Sequence, residues 1–188
     1  MALAELFPLA ARRESDRNAA WLVLLIAAAL LSSVTFACVT PFAAFAVLTA
    51  ATLNPSRALA AMAAIWLANQ AMGFLFLGYP FDGSSLAWGG AIGVAALAAT
   101  AATAVAIRSA RLPAAPRLAA GFVAALAVYE GLLWAVSLGL GGSGNFTPDI
   151  VAKVALSGVC WLVAIAILRH AMLRLAPIRR RDRHPVTT

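Results

Sequence analysis

The sequence predicts an all-α fold, a polytopic bundle of about six transmembrane helices with both termini on the cytoplasmic side. Of the 188 residues, 63% are hydrophobic and only 11% are charged, and the mean hydropathy is +0.91. A soluble domain is typically about half apolar and about a quarter charged. Lipid must therefore be the solvent for much of the surface, which indicates a multi-pass membrane protein.

Polar or glycine-rich connections separate six apolar stretches, and we interpret these as spans at 20–37, 41–53, 57–77, 86–107, 117–140 and 151–172. A helix needs roughly 20 residues to cross about 30 Å of hydrocarbon. The second stretch has only 13 residues, so we expect it to be tilted, half-crossing or re-entrant. The alternative joins the first two stretches into one helix over 20–53 that bends at Thr40-Pro41.

Local signals mark where these helices begin and how they pack. Thr40-Pro41, Ser56 and Thr147-Pro148 have the composition of a helix cap or first turn. Two pairs of small residues, Gly89 with Gly93 and Ala60 with Ala64, are each spaced four apart on an expected helix. Such pairs allow membrane helices to approach closely, so we expect both to lie at helix contacts.

Lysine and arginine fall almost entirely on one side of the six-span arrangement. Thirteen of the fourteen lie on the side of the termini, and only Lys153 lies on the other. Cytoplasmic loops carry an excess of these residues, which predicts both termini inside. The chain then divides into a cytoplasmic segment 1–18, a transmembrane domain 19–173 and a basic tail 174–188. Because the basic residues flank apolar spans, the net charge of +7 does not indicate a nucleic-acid partner.

Two polar side chains within expected spans need a physical explanation. Glu130 is the only acidic residue inside a span, and it is flanked by Tyr129 and Trp134. A charged side chain at that depth costs roughly 2.5 kcal/mol or more, so we expect it to face the bundle interior or a cavity. A ligand contact and a hydrogen bond to a neighbouring helix are both open for Glu130. The same two roles are open for the amide of Asn69.

The connections on the outer side are poor in charge but rich in aromatic and small polar residues. We expect them to form a lid over a pocket; the alternative is that the aromatic side chains are anchors at the membrane interface. The candidate ligand-binding residues are Cys38, Thr40, Phe42, Asn69, Tyr79, Asp82, Trp88, Tyr129, Glu130, Trp134 and Asn145. No catalytic, metal-binding or nucleotide-binding motif is present, so the sequence predicts no enzymatic activity and no cofactor.

The first half of the chain contains TPFAAFAVL at 40–48, LNPSRAL at 53–59, QAMGF at 70–74 and Tyr79-Pro80. In this order these segments resemble the substrate-binding subunits, or S components, of energy-coupling-factor vitamin transporters, or a related small bacterial membrane protein family. The resemblance implies a location in a bacterial cytoplasmic (inner) membrane. It implies a six-helix subunit that binds a small molecule, of the vitamin or cofactor-precursor class, from the outside. It also implies a membrane coupling subunit and an ATPase as partners. The alternative hypothesis is an accessory or structural subunit of a larger membrane complex, which the alanine- and glycine-rich faces favour.

The distribution of basic residues leads to a testable topology. A reporter that works only in the cytoplasm should be active when it is fused to either end of the chain, because the basic residues hold both ends inside. Reporter activity in the two fusions is the measurement. An inactive N-terminal fusion beside an active C-terminal fusion would instead support the single bent helix over 20–53.

Overall fold

A computed structural model describes the backbone of residues 6–35 and 40–175, and the side chains of residues 18–33 and 40–172. Within these ranges the chain is helical and contains no strand. The helices are α1 (Leu6–Thr35), α2 (Phe42–Thr52), α3 (Pro55–Leu75), α4 (Gly83–Ser109), α5 (Ala114–Leu140) and α6 (Pro148–Leu175), and a short 3-10 turn covers Ser143–Asn145. The predicted all-α fold of six helices is confirmed.

Four of the helices, α3 to α6, are long and apolar enough to cross a membrane. Helix α2 has 11 residues, which at 1.5 Å per residue is about 16 Å, or half of the hydrocarbon thickness. It is separate from α1, so the short second helix is confirmed and the single bent helix over 20–53 is wrong. Helix α1 begins at Leu6, so the arginine-rich leader belongs to the same helix as the first apolar stretch.

The helix starts agree with the sequence signals at one of the three positions, since α6 begins at Pro148. Helix α2 begins at Phe42 with Pro41 rather than Thr40 as its N-cap, one residue later than expected. The expected start at Ser56 is wrong, because Asn54 is the N-cap of α3 and its side chain accepts the backbone N–H of Arg57 at 2.9 Å. An asparagine followed by proline is a strong helix start, since proline has no N–H to leave unsatisfied.

Helix α2 lies at the centre of the bundle. Every residue from Phe42 to Thr49 is buried, and Phe45 and Val47 have no exposed surface. Helices α3, α4, α5 and α6 all contact it. A helix that is apolar on every side is stable only where neighbours or lipid cover it completely, and here the neighbouring helices do so.

Two hydrogen bonds align α1 with α2. At one end of α2, the indole N–H of Trp21 donates to the hydroxyl of Thr52 at 3.0 Å. At the other end, the hydroxyls of Ser33 and Thr40 lie 2.9 Å apart. Trp21 and Ser33 are twelve residues apart on α1, which is about 18 Å. Their partners Thr52 and Thr40 are also twelve residues apart, in the opposite order along the chain. The two helices therefore run antiparallel with a defined register.

The described arginines gather at one end of the bundle, which we call the basic end. Pro55 at the start of α3 and Arg108 at the end of α4 line one groove, and the guanidinium of Arg169 lies 5.4 Å from the centre of the Trp21 ring. The basic end holds Arg57, Arg108, Arg111, Arg117 and Arg169. This grouping is what the six-helix arrangement predicts, and the assignment of this end to the cytoplasm stays a prediction.

The small residues Gly89 and Gly93 receive side chains of α3, as expected. The indole of Trp66 donates to the carbonyl of Gly89 at 2.9 Å, and its ring covers Gly93. The other pair behaves differently, because Ala60 is exposed and the buried face of α3 contains Ala61 instead. Within the described bundle Ala60 therefore does not lie at a helix contact, since the helix is rotated to bury Met62 and Ile65, whereas Ala64 is half-buried.

Alanine substitutions at two neighbouring glycines of α4 should have opposite effects. A Cβ atom at position 93 would lie 2.6 Å from Cε2 of the Trp66 ring, whereas a Cβ atom at position 90 meets nothing within 4 Å. Gly93→Ala should lower the unfolding temperature in detergent, because the rigid indole must move. The matched control Gly90→Ala should raise stability by about 0.5–1 kcal/mol, since alanine is the better helix former. Equal effects of the two variants would contradict the packing of Trp66 on Gly93.

Candidate functional site

Three polar side chains meet at the start of α2, and we call them the polar cluster: Ser33 of α1, Thr40 before α2 and Asn69 of α3. The amide nitrogen of Asn69 donates to the hydroxyl of Ser33 at 2.8 Å and to that of Thr40 at 2.7 Å. Both hydroxyl residues are buried. Asn69 is six residues before the end of α3 at Leu75, or about 9 Å along the helix. The cluster therefore lies within the bundle rather than at its surface.

The polar cluster uses nearly all of its hydrogen-bonding groups. The Ser33 hydroxyl donates to the carbonyl of Ala29 at 2.9 Å, so its contact with Thr40 requires the threonine to donate. Both amide protons of Asn69 are also used. Its carbonyl oxygen faces the amide of Gln70 at 3.5 Å, the longest of these contacts. Within the polar cluster, the Asn69 carbonyl oxygen therefore has the weakest hydrogen bond and can accept another donor.

An aromatic pair lies directly beside the polar cluster. The rings of Phe42 and Tyr129 have centroids 5.7 Å apart and are tilted by 37°, an arrangement typical of favourable ring contacts. Phe42 is two residues after Thr40, and both rings are buried. The fold therefore brings together four of the candidate residues: Thr40, Phe42, Asn69 and Tyr129.

Glu130 lies at the border between the buried face of α5 and its outer face. It is half-buried, whereas Trp134, one turn later, is 50% exposed. Among the described side chains, none donates a hydrogen bond to Glu130 or forms an ion pair with it. The expectation that Glu130 faces the interior is thus met only in part. Glu130 directly follows Tyr129 on α5, but consecutive side chains of a helix do not face each other, so its carboxyl group points away from the buried ring.

Part of the connection after α3 folds back onto that helix. The Phe74 ring stacks on Phe81 at 4.7 Å and meets the edge of Tyr79 at 6.3 Å. The Tyr79 ring also covers Gly73, and its N–H donates to the Gly73 carbonyl at 3.0 Å. These contacts fix Tyr79 at the end of α3, on the side of the bundle away from the basic end.

Asp82 is the N-cap of α4. Its carboxylate accepts the backbone N–H of Ser85 at 2.7 Å, and this hydrogen bond lowers the pKa of Asp82 below its ordinary value. Because the folded-state pKa is lowered, the cap contributes stability at neutral pH and loses it as the pH falls through that pKa. A capping role accounts for this exposed carboxylate without a ligand.

Trp88 and Asn145 lie where α4 meets the last connection. Trp88 and Phe146 both pack against the hydrophobic core. A Cβ atom at Gly142 would lie 3.9 Å from the Trp88 ring and 3.6 Å from the amide nitrogen of Asn145. The start of α4 and the 141–147 connection therefore approach each other. A lid formed by the outer loops and a cavity beneath it stay predictions.

The residues that form the polar cluster and the ligand-binding residues predicted from the sequence are not the same. The predicted residue Cys38 lies outside the described residues. Ser33, which completes the polar cluster, was not a candidate, although a serine at the end of an apolar helix facing a Thr-Pro pair is a signal for it. Away from the site, the indole N–H groups of Trp21 and Trp66 bond to Thr52 and Gly89, which are distant in sequence, so no local pattern indicates these contacts. In the described part of the chain, no three His, Cys, Asp or Glu side chains are arranged to hold a metal ion.

Comparison with protein families, with curated proteins and with solved structures finds no match to this chain.

The hydrogen bonds of the polar cluster can be tested with two threonine variants of the same shape. Thr40→Val should lower the free energy of unfolding in detergent by about 0.6–1.7 kcal/mol, as for other hydrogen bonds between membrane helices. Thr100→Val is the matched control, because that hydroxyl is buried but donates to Ala96 of its own helix at 2.8 Å. Urea or thermal unfolding of both variants gives the comparison. Equal losses would show that the cluster does not join the helices.

Proposed function

We propose that the protein is an integral membrane substrate-binding or uptake subunit for a small molecule, of the vitamin or cofactor-precursor class. The observation that carries the proposal is the start of α2, where a half-length helix ends inside the bundle beside polar and aromatic side chains. Membrane transporters typically form their binding sites where a helix is interrupted within the bundle. The resemblance to S components of vitamin transporters agrees with this position.

The groups at this site favour a particular ligand chemistry. The Asn69 carbonyl and the Glu130 carboxyl group accept hydrogen bonds or attract positive charge. The rings of Phe42 and Tyr129 pack on each other and are buried, so they leave no open surface for stacking. A molecule with N–H donors or a cationic group matches the two acceptors, because a desolvated carboxylate favours a donor. Movement of the loaded subunit requires a coupling subunit and an ATPase as partners.

A second candidate function, an accessory subunit of a larger membrane complex, is favoured by the outer surface of the bundle. Helix α6 is the least buried of the long helices, and its exposed side chains include Leu156, Val163 and Ile167. Glu130 is half-buried beside the exposed Trp134. A carboxyl group at this depth is costly without a partner, and a neighbouring subunit that supplies a donor would remove that cost.

Two substitutions of Glu130 separate these functions. Glu130→Gln keeps the shape of the side chain, so the protein should fold normally. If Glu130 contacts the ligand, small-molecule retention should fall by about tenfold, because a charged hydrogen bond is lost. Mass spectrometry of the small molecules released from the purified, denatured protein measures retention. Lys153→Gln, which removes an exposed charge from α6, is the control and should retain the ligand.

The accessory role predicts the opposite pattern. Glu130→Gln should then be nearly silent, whereas Glu130→Leu should release a protein partner, since it removes the acceptor of a hydrogen bond donated by the neighbouring subunit. Normal retention in Glu130→Gln together with loss of the partner in Glu130→Leu would overturn the ligand-binding role of this residue.

A further inference from the structure

A narrow groove of about 240 Å³ opens on the bundle surface between α3 and α4 at the basic end. It is distinct from the polar cluster, which lies near the other end of α3. Small and apolar side chains form most of its walls. The lining residues are Pro55, Ala58, Leu59, Thr100, Ala101, Ala104, Val105 and Arg108.

Arg108 is the only charged residue of the lining. Thr100 is the other polar one, and its hydroxyl already donates to the Ala96 carbonyl at 2.8 Å. Among the described side chains, none forms an ion pair with Arg108. The groove therefore combines an apolar wall with one guanidinium group that has no internal counter-charge.

The described side chains that carry a charge near the groove are all basic. Arg57 follows the lining residue Pro55 by two positions, and Arg111 and Arg117 follow Arg108 in the connection to α5 and its first turn. The Nε atom of Arg117 is buried and has no hydrogen-bond partner in the described structure. Among the side chains that the structure describes, the acidic ones lie elsewhere, at the opposite end or in the middle of α5. These side chains therefore supply no counter-charge at the basic end, and an anionic ligand would supply one.

The groove is charged at one end and apolar at the other, and a phospholipid in the adjacent leaflet has its headgroup and acyl chains in the same order. Arg108 lies at the end of α4, and Thr100 lies eight residues deeper, which is about 12 Å along the helix. The charged end is therefore at the level of the headgroups, and the apolar end points towards the middle of the bilayer. Basic pockets between transmembrane helices are a known type of site for anionic lipid headgroups.

We propose that this groove binds one anionic phospholipid, with the phosphate at Arg108 and the first part of an acyl chain along Ala101 and Ala104. A soluble anion would leave the apolar wall uncovered. The basic tail of the chain, which carries Arg179, Arg180, Arg181 and Arg183, has the same charge as the groove and is a poor occupant. A zwitterionic lipid brings no net negative charge to the cluster of arginines.

The test compares phosphatidylglycerol with phosphatidylcholine, each added to the purified full-length protein in detergent. Native mass spectrometry counts bound lipids, and thermal unfolding reports stabilisation. Phosphatidylglycerol should bind and stabilise the protein more than phosphatidylcholine. Arg108→Gln should weaken phosphatidylglycerol binding by about tenfold, as expected for the loss of a charged hydrogen bond. Arg111→Gln removes the same charge outside the groove and should change binding by less than twofold.

A second pair of variants tests the apolar wall. Ala101 is an exposed lining residue, so Ala101→Leu should fill the groove without disturbing the core, and it should weaken phosphatidylglycerol binding several-fold. Val94→Leu, at a 66% exposed position of the same helix outside the groove, is the control. Equal binding of the two lipids, equal effects of Arg108→Gln and Arg111→Gln, no effect of Ala101→Leu, or equal stabilisation by inorganic phosphate would each overturn the proposal.

Discussion

A helix that begins inside a bundle leaves its first backbone N–H groups without partners in the helix, and hydrocarbon supplies no water to satisfy them. Helix α2 meets most of this constraint within its own turn. Pro41 has no N–H to satisfy, and the N–H groups of Phe42 and Ala44 donate to the carbonyls of Thr40 and Pro41 at 2.8 and 2.9 Å. The Thr40 hydroxyl does not cap the helix and bonds instead to Ser33 and Asn69. The neighbouring helices are thus arranged around a helix start whose backbone is bonded mainly within its own first turn.

The remaining helices are held by close packing rather than by apolar burial alone. Lipid is as apolar as leucine, so the association of membrane helices depends on small residues and on hydrogen bonds between helices. Trp66 illustrates both effects, because its ring covers Gly93 while its N–H bonds to Gly89. Thr103 joins α4 to α5 in a similar way. Its hydroxyl lies 3.3 Å from the carbonyl of the small residue Gly121. Helix α6 makes fewer such contacts and is the helix most open to lipid or to another subunit.

The two ends of the bundle differ in chemistry, and the difference bears on both proposals. The basic end is open, charged and in contact with an apolar groove, which suits a lipid at the membrane surface. The region around α2 is enclosed, with an amide carbonyl, two rings and one carboxyl group at a similar level. Glu130 lies at the border between the second region and the outer face of α5, because it follows the buried Tyr129 and is one turn before the exposed Trp134. A ligand and a neighbouring subunit would therefore compete for the same carboxyl group.

Hydrophobicity and charge placement, both readable along the chain, determined the all-α class, the six helices, the short second helix and the gathering of arginines at one end. These are properties of consecutive residues, since a membrane helix satisfies its own backbone. Tertiary structure alone decided which faces meet. It rotated α3 to bury Met62 and Ile65 rather than Ala60, joined Ser33 to Asn69, and left Glu130 half-buried. Helix rotation and register depend on contacts between distant residues, and a pattern along one helix does not specify its neighbour.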